Sequence, residues 1–491
     1  MTSSVTSSSS GTISSLGVGS GLDANSIVSK LVEIERQPIS NLQTAATKIQ
    51  TKISEFGKVQ AAVSSVRDAA QKLGNPSIWA STIATSSDSN AVNFSTSDGA
   101  TPASYAVSVS SLAAPQSVVT NTPLPSATAT LGSGTLSIDL GTWSSGAFTA
   151  NATNKTVNVT IAATDTLNDI RDKINGAGAG VTASIVQDSG GARLMISSNS
   201  TGASNGFRIT ANDTGDSNNT DNAGLSSLAY DPASSTAGTT LTQSASDAAA
   251  TINGVAVSST TNQFSNVLTG ISFTVGKVTK TASGDTPINV TVKSDTDTIT
   301  KAINDFATSY SALATLLSTD TKYDDATKTG GPLQADGTAV SVMNQFRSLI
   351  GSSTPASSMF STLSSIGVEI QTGGTLTVNA TKLTNALGKL SEVKKLFANA
   401  DLSNSANDGI ATKLRTLSDN LIGFDGAITT RTAGLNQDVA NNQKQQDALD
   451  ARSALYEARL KAQYTALDTT MAGLNSQSSY VTQMITNLNK G

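Results

Sequence analysis

The sequence predicts a multidomain α+β chain of elongated form, with a coiled-coil stalk and legs built from both termini and nested β-rich head domains between them. Three observations predict it. Ile39, Leu42, Ala46, Ile49, Ile53, Phe56, Val59, Val63, Val66, Ala70 and Leu73 step by threes and fours, the mark of a helical seam. Leu449, Tyr456, Leu460, Tyr464, Leu467, Met471, Leu474, Val481, Ile485 and Leu488 form a second seam at the far end of the chain. Between them the texture changes to the alternation of strands. A helix apolar along one stripe must bury it, so the two terminal seams are expected to pair and to carry the middle of the chain at their tip.

The first seam holds two successive threes around Phe56, a local overwinding. The second has a four-four step at Leu460 and polar interruptions at Ser453 and Ser478. At about 1.5 Å per residue, Ile39 to Leu73 would run roughly 50 Å and Ala427 to Leu488 roughly 90 Å, dimensions that suit an assembly component better than a compact enzyme. A monomeric helical hairpin is the plainer alternative.

Taken in order, residues 1–38 are expected to be a disordered tip and a leg helix. Asp23 is its N-cap, Leu22 and Ile27 stand at staple spacing, and Pro38 is expected to break or kink it. The stalk helix follows over 39–74, stopped by Gly74, Asn75 and Pro76. Strands read from Val92, Phe94, Tyr105, Val107 and Val109 make the first part of a head domain, 75–122. Pro123 and Pro125 open an inserted outer domain, 123–240, whose clearest unit is a strand over Thr156–Ile161 and a short helix capped by Asp165. Strands Val181–Gln187 and Ala192–Ser198 follow, turned by Asp188-Ser189-Gly190-Gly191. Asp231–Gly238 reads as the return linker. The head domain resumes over 241–294, with Ala250–Val255 as one of its strands. Residues 295–440 are expected to return to the helical stalk, with a hairpin at Gly373-Gly374, a helix capped by Asn379, and an apolar stripe Ile410, Leu414, Leu417, Leu421, Phe424. In the terminal leg, 441–491, the run Asn441–Asp447 weakens the seam and reads as a solvated face or a hinge.

Composition narrows function. With 491 residues, 4% aromatic and 14% charged, the chain should hold several small cores. A formal charge of -5 without a basic cluster excludes nucleic acid as the expected partner. The absence of Cys and His removes thiolate, imidazole and disulfide chemistry, and no cofactor or metal is expected. The Ser/Thr/Gly start, Met1–Gly21, does not read as a secretory signal, and no run approaches the roughly 18 apolar residues of a membrane span.

Three short motifs fail on context. Gly202–Gly206 matches a nucleophile elbow, but a strand follows it and no His exists to act as base. Gly19–Ala24 fits a relaxed dinucleotide fingerprint without a preceding strand. Asp213–Asp221 lacks the Gly and terminal Glu of a calcium loop and reads as a turn.

Ile13–Asp23, the helix end Glu33–Ile39, Asn304–Tyr310, Gly331–Asp336, Ile366–Ile370 with its Gly373-Gly374-Thr375-Leu376 hairpin, Ala462–Asp468 and Met471–Gln477 together resemble the flagellar filament cap, or flagellar hook-associated protein 2, family. Leu167–Asn175 within Asp165–Gln187 looks like the IN motif of flagellin-related proteins. Tyr464 stands where the family pattern leads us to expect Phe. The resemblance implies a non-enzymatic ring of five subunits at the distal end of the filament, secreted unfolded through the flagellar export channel. It implies that the ring promotes flagellin insertion and prevents flagellin loss. Its implied partners are further copies of the chain, flagellin, the hook-filament junction proteins, and the export apparatus with an export chaperone. The residues expected at the assembly interface are Ile27, Leu31, Ile34, Leu467, Met471, Leu474, Val481, Ile485 and Leu488, with Leu474 and Ile485 placed opposite the helix before Pro38. A surface adhesin, a flagellin or a junction protein are the alternative readings.

Overall fold

A computed structural model describes residues 23–234, 236–326 and 328–489. Its helices, in chain order, are α1 (Ala24–Gly74), α2 (Pro76–Ala80), α3 (Leu167–Gly176), α4 (Thr296–Thr321), α5 (Gly337–Ile350), α6 (Ala380–Leu387), α7 (Leu390–Ala398), α8 (Ile410–Ile422) and α9 (Ala427–Leu488). The chain divides into two compact units, Met1–Pro76 with Thr298–Gly491, and Ser77–Asp297. The fold class is the α+β multidomain one expected.

In the first unit Asp23 caps α1, its side chain accepting from the Ser26 amide at 3.0 Å. The staple partner Leu22, the Gly19–Gly21 fingerprint and the expected disordered tip lie outside the described residues. No break falls at Pro38: α1 is one helix of 51 residues that contains it. Proline removes one intrahelical bond and its ring crowds the carbonyl four residues back, at a cost of about 3 kcal/mol. Here that carbonyl belongs to Ile34, which is 63% exposed, so water can take the bond, while packing on α9 holds the helix on both sides.

The α1 seam divides in two. From Phe56 to Leu73 its residues are fully buried, and α8 packs on α1 together with α9. From Leu42 to Ile53 they are half-buried. The α4 stripe of Ile299, Ile303, Phe306, Tyr310, Leu313 and Leu317 is buried as its spacing predicts, with Phe306 edge-on to Phe397 of α7. Two expectations need correction. The helix capped by Asn379 ends at Leu387 and a separate helix, α7, follows after Gly388-Lys389, and Phe424 does not continue the α8 stripe but stands 92% exposed on the turn before α9.

The second unit holds two cores. In the first, a five-stranded antiparallel sheet has the order 82–86, 288–294, 103–111, 248–252, 255–259, so chain from before and after the insertion pairs directly, as at Tyr105–Val290. A three-stranded sheet, 263–268, 271–275 and 92–96, covers it, with Phe264 stacked on Phe273 at 4.5 Å. Ala250–Val255 is not one strand. Asn253 and Gly254 both take positive φ and turn the chain back as a hairpin.

The second core surrounds α3, whose Leu167, Ile170 and Ile174 are fully buried between a sheet centred on 134–144 and a sheet of order 239–243, 117–120, 191–198, 181–188. The N-cap of α3 is Thr166 in a capping box with Asp169, not Asp165, whose carboxylate instead accepts from the Ala162 amide and pairs with Lys173. Val118 belongs to this core, so its strands begin before Pro123. The expected linker Asp231–Gly238 is also structured: Tyr230 and Asp231 pair with Ala237 and Thr236.

Candidate assembly surface

The surface that distinguishes this chain is the last third of α9. Its placement follows from the register of α1 on α9. Arg36 pairs with Asp450 at 3.2 Å and Glu35 with Arg452 at 2.7 Å, while Val28 and Val32 close over Leu460 with Leu31, Tyr456 and Tyr464 around them. The helices therefore run antiparallel, and α1 begins at Ala24 where α9 has reached Leu460–Tyr464.

Beyond that point α9 continues for another six turns. Leu467 is 43% exposed, Leu474 53%, Val481 48%, Ile485 54% and Leu488 76%, with Met471 half-buried. These steps of four and three keep one face, and Tyr480 and Met484, which the seam reading missed, widen it. Full burial of a large apolar side chain is worth about 1.5–3 kcal/mol, so a stripe of this size left in water marks a surface awaiting a partner.

Two further properties shape that surface. Residues 469–489 contain no Asp, Glu, Lys or Arg, so recognition there must be apolar and neutral-polar. The helix is also weak by composition: Thr469, Thr470, Ser479, Thr482 and Thr486 each return their hydroxyl to the carbonyl four residues back, a habit that mildly destabilises helices, and Gly473 sits among them. A long helix of such residues depends on packing rather than propensity.

The structure does not bring the nine expected interface residues together. Ile27 and Leu31 are half-buried within the chain, and Ile34 points to solvent from α1. Leu474 and Ile485 do not lie opposite the helix before Pro38, because Asp450 to Tyr464 already occupy that place. Nor is Asn441–Asp447 a hinge or wholly solvated. Asn442 and Gln446 are each 8% exposed and bonded to one another at 2.6 Å, which makes a buried polar layer inside a continuous helix, with Ser453 buried beyond it. A polar layer of this kind fixes which residues face each other, since any slip would bury its amides against apolar neighbours.

The other motifs resolve as local structure. Gly202, at φ 106°, turns the chain into the strand Gly206–Asp213. The Asp213 carboxylate accepts from the Leu225, Ser226 and Gly215 amides, so it is spent on the loop and is not a cation ligand. Among the described residues there is no group of three or more metal-ligating side chains, and no helix is long and apolar enough to cross a membrane.

Known proteins are similar to this chain. The family described as "Flagellar hook-associated protein 2 C-terminus" matches residues 245–476 and its N-terminal counterpart residues 20–116, while the "Flagellin hook IN motif" matches 147–200 and encloses α3. The flagellar hook-associated protein 2 of Escherichia coli K12 is 31% identical over 97% of this chain and 98% of its own length. The B-type protein of that name from Pseudomonas aeruginosa is 27% identical over 97% and 98%. Among solved structures, the flagellar cap protein FliD D1-D2-D3 domains from Escherichia coli superpose with a TM-score of 0.56 at 28% identity, covering 78% of this chain and 99% of that one. With the nested sheets, the α3 unit and the paired terminal helices in place, this chain belongs to the flagellar hook-associated protein 2 family.

Proposed function

We propose that this protein is a structural cap at the distal tip of the bacterial flagellar filament, promoting flagellin polymerisation and preventing escape of unpolymerised flagellin. Copies of the chain form a ring, expected to number five, and α9 reaches from each copy toward flagellin and the hook-filament junction proteins. The chain is secreted by the flagellar export apparatus with an export chaperone, a route that a Cys-free sequence suits because no disulfide must be made or broken.

The observation that carries the reading is the uncovered stripe from Leu467 to Leu488 on a helix too weak in propensity to be left without a partner. Its test separates fold from assembly. Leu474→Asp places a charge at a half-exposed site, so the purified protein should melt within about 1 °C of the parent, as surface substitutions do. Cells carrying it should release flagellin into the medium and bear short filaments or none. A large loss of thermal stability, or normal filaments, would contradict the proposal.

A further inference from the structure

We infer that a second copy of this chain docks its Phe424-Asp425 turn into the cleft between the end of α1 and the start of α8. The inference rests on the homo-oligomer proposed above and names the surface that builds it. The turn is fixed. Gly423 donates to the Asp419 carbonyl at 2.9 Å, Gly426 to that of Gly423 at 3.0 Å, and a Cβ on Gly426 would meet the Leu421 carbonyl at 2.3 Å, so the chain is folded tightly back against α8. At its tip stands Phe424, 92% exposed, and beside it the exposed Asp425 carboxylate has no ion-pair or hydrogen-bond partner among the described residues. A rigidly presented aromatic side chain left exposed among the described residues is the form an interface anchor takes.

At the other end of α8 lies a cleft of about 590 Å³, whose mixed lining includes Pro76, Ala398 and Ala400 on its apolar side and Lys72 and Arg415 on its charged side. Its charges are not evenly answered. Asp68 is held by Arg67 at 2.8 Å and Lys72 lies 3.7 Å from Asp305, but Arg415 has no carboxylate within ion-pair range among the described residues. Leu402, two residues beyond Ala400, is fully exposed. The cleft thus offers what the turn lacks: apolar surface for Phe424 and an unanswered cation for Asp425.

A copy cannot fill its own cleft. Phe424 follows the last turn of α8 and Ala411 lies in the first, so the 13 residues of that helix hold them roughly 20 Å apart. The contact is therefore head-to-tail, each copy giving its turn to the next, and such a contact closes into a ring when the rotation between copies allows.

The absence of native cysteine gives a clean test on the full chain. Ala427→Cys protein, whose new thiol stands exposed beside the turn with Phe424 left in place, mixed with Ala400→Cys protein should form a disulfide-linked dimer under mild oxidation, whereas neither variant should do so alone. Asp425→Arg should weaken association at least tenfold by sedimentation, in line with truncation of an interfacial charge pair, and Arg415→Glu in the same chain should restore it. If the parent assembles but the mixture does not crosslink and Asp425→Arg associates normally, the docking surface is overturned while the homo-oligomer stands. If the parent remains a monomer at every concentration, both fail.

Discussion

Arg431, in the first turns of α9, grips Asp336, the N-cap of α5, through two bonds of 3.0 and 2.8 Å to the same carboxylate oxygen. The other oxygen caps α5 through the Thr338 and Ala339 amides, and the carboxylate is 1% exposed. One side chain thus starts one helix and anchors another that is 95 residues away.

Arg431→Met should therefore destabilise the first unit by roughly 2–3 kcal/mol, because it leaves a buried carboxylate with only its capping bonds. Arg431→Lys should fall between, since an ammonium keeps the charge and loses the fork. Urea melts of the three proteins check this, and an unchanged midpoint for Arg431→Met would refute it.

Pro38→Ala should stabilise α1 by about 1–3 kcal/mol, restoring a donor to the Ile34 carbonyl inside a helix that is already continuous. Hydrogen exchange over residues 34–42 should slow. Faster exchange there would show that the proline supports the helix.

Asp320, near the end of α4, is 5% exposed and one of its oxygens has no hydrogen-bond partner among the described residues. Burial pushes its carboxyl above the ordinary range, the nearby Glu55 charge adds to this, and Lys58, which is bonded to Glu55, opposes it. A raised carboxyl contributes stability that is complete below the unfolded-state pKa of 3.8 and lost as pH rises through the folded value. Asp320→Asn should thus gain relative to the parent at pH 7 and lose that gain on acidification. Thermal melts at pH 7 and at about pH 4 measure it, and a gain that is the same at both would remove Asp320 as the cause.

The outer core should be dispensable to its neighbour. Ala114 and Ser246 exchange a pair of backbone hydrogen bonds at 3.0 and 3.1 Å, where the chain leaves and re-enters the first core. Replacing residues 116–244 with a short Gly/Ser turn should leave a protein with a cooperative melt. A junction at Thr122 and Thr239 should do worse, because it strands Val118 without the core that buries it. Aggregation of the shorter design, with the parent well behaved, would argue that the two cores fold as one.

The sequence by itself determined the parts of this protein that rest on local period and local caps. The seams of α1 and α4, the Asp23 and Asn379 caps, the Gly373-Gly374 hairpin and the α3 unit were all legible because each depends on residues a few positions apart. Family motifs spread along the chain were legible for the same reason. Only the tertiary structure decided what those stripes face. Pro38 reads as a break because its penalty is local, whereas the packing that offsets it comes from α9, far along the chain. Phe424 fits the α8 spacing, yet Gly423 ends the helix one residue before it and turns the side chain out. Asn442 and Gln446 look like solvated surface until antiparallel register sets them against α1. That register also decides that α1, beginning at Ala24, leaves Leu467–Leu488 exposed among the described residues: a stripe shows that a helix wants a partner, and only the positions of the other elements show where one can stand.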